Sequence, residues 1–458
     1  MADKKRIYLC LAHMSEAGLE QKYIKEAFDT NWVVPLGPNV NGFEKDLEEF
    51  VNSLTPNPSP EGKGGSKSYP SGGDLEGAET LSKRVVALSS GTAAVHLALI
   101  NCGVKAGDEV CVQSFTFCAS SHPITYLGAT PVFIDSEKDT WNMDPELLEE
   151  AIKDRIAKTG KKPKAIVPVA LYGMPYNVDR IMEIANRYEI PVVEDAAEGF
   201  GSRWKGQVLG TFGKYGVLSF NGNKMITTSG GGALVTANEE EWREIMMYAT
   251  QYRESYPYYQ HEKIGFNYRM SNICAGIGRG QMTVAAEHIA HHKKVQKMHE
   301  ELLAGVPGIK VHAQPGLGFK VQGSSEEVPV YDSNYWLCTI TLDENLKIKG
   351  QENAYKTIVQ GAVGGTAGVI HVADSATTDC QPNDNVEALR VFMDAAGIEA
   401  RPVWKPMHKQ PVYKNCPAYV NGVSEAIFKV GMCLPAGPYV SEEDVKYIVD
   451  TIKAAIVA

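Results

Sequence analysis

The chain has 458 residues, a formal net charge of -10 and 22% charged residues, with no dense Lys/Arg cluster to offset the acidic balance, which argues against a nucleic-acid backbone as partner. Its hydrophobic content of 44% describes an ordinary soluble globular protein, and its length exceeds the usual single core, so two domains are expected. The nine cysteines are odd in number and contain no C-x-x-C pair, which speaks against a disulfide framework and for free thiols in a reducing compartment.

In chain order, the N-terminus has a basic start, but its apolar run over 7–12 is too short for a signal peptide. No segment approaches the length of a membrane span, and a cytoplasmic location is expected. Residues 55–77 are dense in Pro, Gly and Ser and predict a surface excursion. From 84 to 237, apolar β-branched runs alternate with helical patterns. Strands are predicted over 84–88, 109–112, 131–134, 165–169, 191–193, 216–220 and 233–236, and Val178, Ile181, Met182 and Ala185 mark an amphipathic helix. This alternation predicts an α/β domain with a mostly parallel sheet covered by helices, spanning residues 1–280. Beyond about Gln281 a long polar helix runs to about Leu303, followed by shorter elements. Residues 281–458 therefore read as a smaller C-terminal α+β domain, with an insertion over 361–385.

Ligands of such sheets gather at the carboxyl ends of the strands. After 84–88 comes Ser89-Ser90-Gly91-Thr92, opening a helical run. A hydroxyl-rich Gly turn there presents free N–H groups to an anion, or simply caps the helix. After 109–112 come Phe115 and Phe117; one of them could stack on a planar ring, or both could be core. After 191–193 comes Asp195, a carboxylate that is costly to bury unless it meets a cation or caps a helix.

The last strand end carries Ser219, Phe220 and a polar bend to Lys224, followed by glycines from Gly230 to Gly232. A lysine held between a strand end and a Gly-rich turn is a candidate Schiff-base former. An anion cradle, a ring stacker, a carboxylate for a ring nitrogen and an amine for an aldehyde together match pyridoxal 5'-phosphate (PLP).

The stretches TNWVVPLGPNVNGFEKDLEEF, SSGTAAVHLAL, SFTFCAS, YGMPYNVDRI, VVEDAAE, SFNGNKMITTSGGG, GFNYRMSNICAGIGRGQ, GIEARPVWKPMHKQPVY and CLPAG resemble the fold-type I, PLP-dependent sugar aminotransferases of the DegT/StrS family over nearly the whole chain. The resemblance implies that Lys224 forms the Schiff base with the cofactor, Asp195 pairs with its ring nitrogen, Phe117 stacks on the ring, and Gly91, Thr92 and Ser219 hold its phosphate. It implies that Asn267 reaches the phosphate of the neighbouring subunit in a homodimer, and it places Trp32, Tyr172, Arg269 and His408 around the sugar or donor pocket. It further implies L-glutamate as amino donor and a nucleotide-linked keto sugar as acceptor. The motif spellings look closest to enzymes of UDP-4-amino-sugar synthesis for surface glycans. A 3-keto sugar or a cyclitol ketone stays open, as does a non-catalytic regulatory homologue.

Two positions depart from the family pattern. Glu198 stands where glutamine is common, and an ionised glutamate would repel the cofactor's phenolate, so Glu198 is expected to be protonated or turned away. Ala170 stands where a polar histidine is frequent. Two further motifs are weak. Gly276-Ile277-Gly278-Arg279-Gly280 hints at a dinucleotide loop but follows no strand. His288, His291 and His292 fall at helical spacing, where a solvated face is expected rather than a metal site.

Overall fold

In the computed structural model, residues 6–53, 83–320, 327–355 and 380–457 are described. The 55–77 insertion lies outside them, as do residues 361–379 of the second. The remainder of that second stretch is no loop throughout, because the Asp384–Ala395 helix begins inside it.

The large sheet draws together runs that are apolar on both faces. Ala418–Tyr419, Thr130–Ile134, Glu109–Gln113 and Ile166–Val167 pair in parallel, in that order. Val193–Asp195 and Tyr215–Ser219 continue in parallel, joined to the first set by parallel bridges from Ile166 to Val192 and from Val169 to Asp195. Gly232–Thr236 then runs antiparallel between Tyr215–Ser219 and Arg84–Leu88. The period-2 alternation of a strand splits the core: Val85 and Ala87 face one apolar cluster, while Val86 and Leu88 face another. The Gly91–Asn101 helix is buried along almost its whole length, and Val178–Tyr188 buries Val178, Ile181, Ile184 and Ala185.

A second sheet, wholly antiparallel, runs Ile309–Val311, Cys338–Leu342, Gly431–Leu434 and Arg401–Pro402. Its core includes Ile340, Met432, Leu434, Val386, Leu389, Val445 and Ile448. The beginning of the chain docks here, through a bridge between Ile7 and Ile398 and a hydrogen bond from Ala436 N–H to the Leu9 carbonyl. Ala418–Tyr419, by contrast, returns from the C-terminal part to the edge of the large sheet.

The glycines of 276–280 belong to the Asn272–Met282 helix and form no phosphate loop. A Cβ on Gly276 would lie 2.9 Å from Asn39, on Gly278 2.7 Å from the Phe43 ring, and on Gly280 2.5 Å from the Glu20 nitrogen. The pattern serves close packing against the Leu19–Asp29 and Pro38–Val51 segments. The histidines of the Ala285–Leu303 helix correct another expectation: His288 and His292 are buried, not solvated. Each of the three meets a carbonyl oxygen: His288 that of Met225, His291 that of Val440 and His292 that of Tyr335. Among the described residues no group of three His, Cys, Asp or Glu is placed to hold a metal ion, and no helix is long and apolar enough to cross a membrane.

Candidate active site

Lys224 stands in the turn after the Tyr215–Ser219 strand, with its amide donating to the Asn221 carbonyl. Its Nζ lies 3.2 Å from Glu198 Oε1, both side chains being largely buried, and 4.1 Å from the centroid of the Trp336 ring. Glu198 Oε2 accepts the backbone N–H of Tyr172 at 2.7 Å. Glu198 is thus aimed at the lysine and not turned away. Burial pushes its carboxyl above the ordinary range, with the Lys224 charge opposing, the direction in which a protonated acid lies.

Tyr172 occupies the left-handed region, φ 54° and ψ 19°, which is strained for a side chain of this size. Its amide is held by Glu198, its hydroxyl accepts the N–H of Trp404 at 2.7 Å, and its ring stacks between Trp336 and Trp404. Phe117 extends this aromatic wall, 5.3 Å from Trp404. Of the two phenylalanines after the Glu109–Gln113 strand, Phe115 is core, whereas Phe117 is 49% exposed.

Asp195 ends its strand only 5% exposed. It accepts the Ser120 hydroxyl at 2.6 Å and the Ala197 N–H at 3.1 Å, and among the described residues no Lys, Arg or His forms an ion pair with it. Burial raises its carboxyl above the usual range against those hydrogen bonds and the Lys224 charge. At the neighbouring strand end, Ser90 caps the Gly91–Asn101 helix by accepting the Ala93 N–H. Gly91 and Thr92 open that helix, and a Cβ on Gly91 would lie 3.0 Å from the Ser219 side chain. A Cβ on Gly232 would fall 2.3 Å from the Gly91 nitrogen. Glycine at both positions lets the helix N-terminus press against Ser219.

The remaining predicted residues have partners of their own. Arg269 is committed to a buried pair with Glu44 at 2.5 Å and to the Ala87 carbonyl, where it fastens the Pro38–Val51 helix to the Arg84–Leu88 strand. His408 has both ring nitrogens engaged, Nδ1 with Ser114 Oγ at 2.6 Å and Nε2 with Glu425 at 3.1 Å. Trp32 is exposed, with its carbonyl accepting from Asn272. Asn267 is exposed and bridges Thr250. Sequence reasoning missed Ser120, Asn334, Trp336 and Trp404. Asn334 donates to the Glu198 and Phe200 carbonyls, and its Oδ1 accepts the Trp336 N–H. No spacing pattern announces these four, because their partners lie in distant segments.

The model of the DegT/DnrJ/EryC1/StrS aminotransferase family matches residues 78–351 and 351–453. The chain belongs to that family. Over 452 residues it is 38% identical to the Bacillus subtilis (strain 168) protein named "Putative pyridoxal phosphate-dependent aminotransferase EpsN", covering 98% of this chain and 95% of that one. It is 30% identical over 458 residues to GDP-perosamine synthase of Caulobacter vibrioides, covering 100% of each. In fold it is similar to a DegT DnrJ EryC1 StrS aminotransferase from Brucella abortus, with a TM-score of 0.73, 24% identity and coverage of 96% and 95% of the two chains. This DegT-family member is a PLP-dependent aminotransferase of the α/β, fold-type I class. The residues present fit that cofactor. A buried carboxylate without an ion-pair partner suits a ring nitrogen that carries a proton, a buried amine suits an aldehyde, and a helix N-terminus pressed against a serine suits a phosphate.

Proposed function

We propose that this enzyme transfers the amino group of L-glutamate to a nucleotide-linked keto sugar, specifically a UDP-4-keto-6-deoxy-N-acetylhexosamine, giving an amino sugar for surface glycan synthesis in the cytoplasm. The observation that carries the amino-transfer reading is the Lys224 amine, held 3.2 Å from Glu198 at a strand end beside Ser219. A relative whose name makes it a synthase of a GDP-linked amino sugar supports the nucleotide-sugar class.

When bound, PLP supplies a sink for the electron pair left when the carbon next to nitrogen loses its proton. This chain's residues do the rest. Asp195 keeps a proton on the ring nitrogen, because a buried carboxylate is stabilised by a cation at that place. Gly91, Thr92 and Ser219 hold the phosphate at the helix N-terminus. Phe117, half exposed at a strand end, would stack on the ring. Lys224 Nζ takes the proton from the donor's α-carbon and hands it on, as general base and then general acid. Glu198, 3.2 Å from the amine, orients it. Tyr172 closes the inner wall with its stacked ring, and Trp32, Arg269 and His408 shape the surroundings of the substrate pocket.

The working unit is read as a homodimer in which Asn267 of each subunit reaches the other's phosphate site. Supporting this, Asn267 is exposed beside a surface that includes Tyr256, Tyr258, Tyr259 and Ile264, while Phe28, Trp32, Val33 and Leu36 form a second exposed apolar stretch. Exposed apolar area of that extent marks an interaction surface.

The test is the absorbance of the purified protein with PLP, followed on addition of L-glutamate and then of candidate ketones. Loss of the visible band with glutamate, and its return with the UDP-4-keto sugar, is the expected result. Return only with a 3-keto sugar, a GDP-linked sugar or a cyclitol ketone would replace the acceptor, and indifference to glutamate would replace the donor.

A further inference from the structure

We propose that Trp336 is a positioning residue for the Lys224 amine, holding it in the place from which it captures the cofactor. This rests on the reading of Lys224 as the amine that takes up PLP, and it needs no assumption about the sugar.

Five observations converge on Trp336. Lys224 Nζ lies 4.1 Å from its ring centroid, well inside the distance at which an ammonium is attracted to the negative face of an indole. The indole N–H donates at 2.7 Å to the carbonyl of Asn223, the residue before Lys224. One side chain therefore grips both the amine and the backbone that carries it. Trp336 is itself immobilised: 2% exposed, with its amide donating to Asn334 Oδ1 at 2.8 Å. Asn334 in turn donates to the carbonyl of Glu198, whose carboxyl is the amine's other neighbour. Behind Trp336 the stack continues through Tyr172 to Trp404, so the platform rests on the chain segments at 334–336 and 401–404. A tryptophan that only filled the core would need an acceptor for its N–H, but not one beside this lysine, nor an ammonium on its face.

The ammonium held on the indole face gives its proton to solvent before the free Nζ joins the aldehyde carbon of PLP as one water leaves, and capture requires that amine in a narrow range of positions. A desolvated contact between an ammonium and an indole favours the ammonium roughly 30-fold in an equilibrium, and so holds it in place until it gives up its proton. With cofactor-free protein mixed with PLP at high pH, where the amine is free, the capture rate read from visible absorbance should fall about tenfold in Trp336→Met, which leaves the amine unplaced. It should fall about threefold or less in Trp336→Phe, which keeps a ring face. Fluorinated tryptophan at position 336 drains that face of negative charge without altering its shape, and should move the pH dependence of capture to lower pH stepwise with each fluorine, because the ammonium then gives up its proton more readily. This series stays informative if the methionine variant does not fold.

The deciding control is PLP affinity by equilibrium dialysis in the Lys224→Ala background. The proposal expects equal affinity with and without Trp336→Met, because Trp336 acts through Lys224. A similar loss of affinity in that background would show that Trp336 shapes the pocket, and would overturn the proposal. So would a pH dependence of capture indifferent to fluorination. Covalent capture persisting in Lys224→Ala would overturn the reading of Lys224 itself, an outcome distinct from both.

Discussion

Glu198 stands 3.2 Å from Lys224 on one carboxyl oxygen and 2.7 Å from the backbone nitrogen of Tyr172 on the other. The acid thus ties the reactive amine to a turn whose backbone lies in the left-handed region. Replacing it by glutamine keeps an acceptor for Tyr172 and removes the proton-bearing group beside the amine. Glu198→Gln is therefore expected to fold normally and to change the pH dependence of kcat on the side set by this acid. Identical profiles for the two proteins would remove Glu198 from the chemistry.

Lys224→Ala should abolish the visible band formed with PLP. It should also lower kcat by ~10²- to 10⁴-fold or more, the range set by a missing general acid/base. Spectra and turnover on one preparation check both, and a retained band would count against the assignment.

Asp195 carries a sign that can be tested. Burial raises its carboxyl in the cofactor-free protein, so ionisation opposes folding and the penalty grows as pH rises through the raised value. Cofactor-free Asp195→Asn should accordingly melt no lower than the parent at pH ~7, with any advantage gone below pH ~4, where the parent's carboxyl is protonated in both states. Activity should fall by ~10²-fold or more, as for loss of a central electrostatic group. A melting difference that does not vary with pH would contradict the burial argument.

Acid sensitivity should come from histidines outside the site. Burial pushes His292 down to about 3 and His299 and His312 down to about 4. Their neutral forms stabilise the fold fully above the ordinary histidine value of ~6.5, and that contribution is lost as pH falls from there toward ~3. Urea midpoints should drop steadily below pH ~6.5. His299→Leu should flatten the slope, since the His299 ring is fully buried and burial pushes it down to about 4. An unchanged slope would mean that His299 is not buried neutral.

Gly173 has φ +92°, and a Cβ there would fall 1.8 Å from Asn334 Oδ1 and 3.1 Å from the Trp336 nitrogen. Gly173→Ala combines a forbidden backbone region with an overlap, and is expected to cost more than ~3 kcal/mol. Soluble yield and urea denaturation would show it, and a near-neutral effect would mean that the 171–173 turn can relocate.

What the sequence revealed, and what it hid, has a physical basis. Strands such as Arg84–Leu88 and Tyr215–Ser219 were legible because short apolar runs bounded by turn residues have few other uses. The predicted 165–169 strand shortens to Ile166–Val167, because Pro168 has no N–H to give a ladder. The 191–193 run shifts to Val193–Asp195 past Pro191 for the same reason. Lys224, Asp195 and the Ser90-Gly91-Thr92 turn stood out because strand ends concentrate chemistry. Burial of His288 and His292 was not legible, since helical spacing does not tell which neighbour covers a polar face. Trp336 and Asn334 were invisible for a related reason: nothing at their own positions announces Lys224 or Glu198.

The strand at Ala418–Tyr419 carries a consequence for how the protein is made. It covers the Thr130–Ile134 edge of the large sheet, and the Asp135 carboxylate just beyond that edge accepts the N–H groups of Asn421, Gly422 and Ser424. During synthesis that edge emerges from the ribosome long before its cover. The nascent chain therefore carries an open strand and a buried-to-be carboxylate through most of translation, a state prone to pairing with other chains. Truncations that remove only the last turns of the protein would leave this edge protected, whereas those ending before Ala418 would leave it permanently bare.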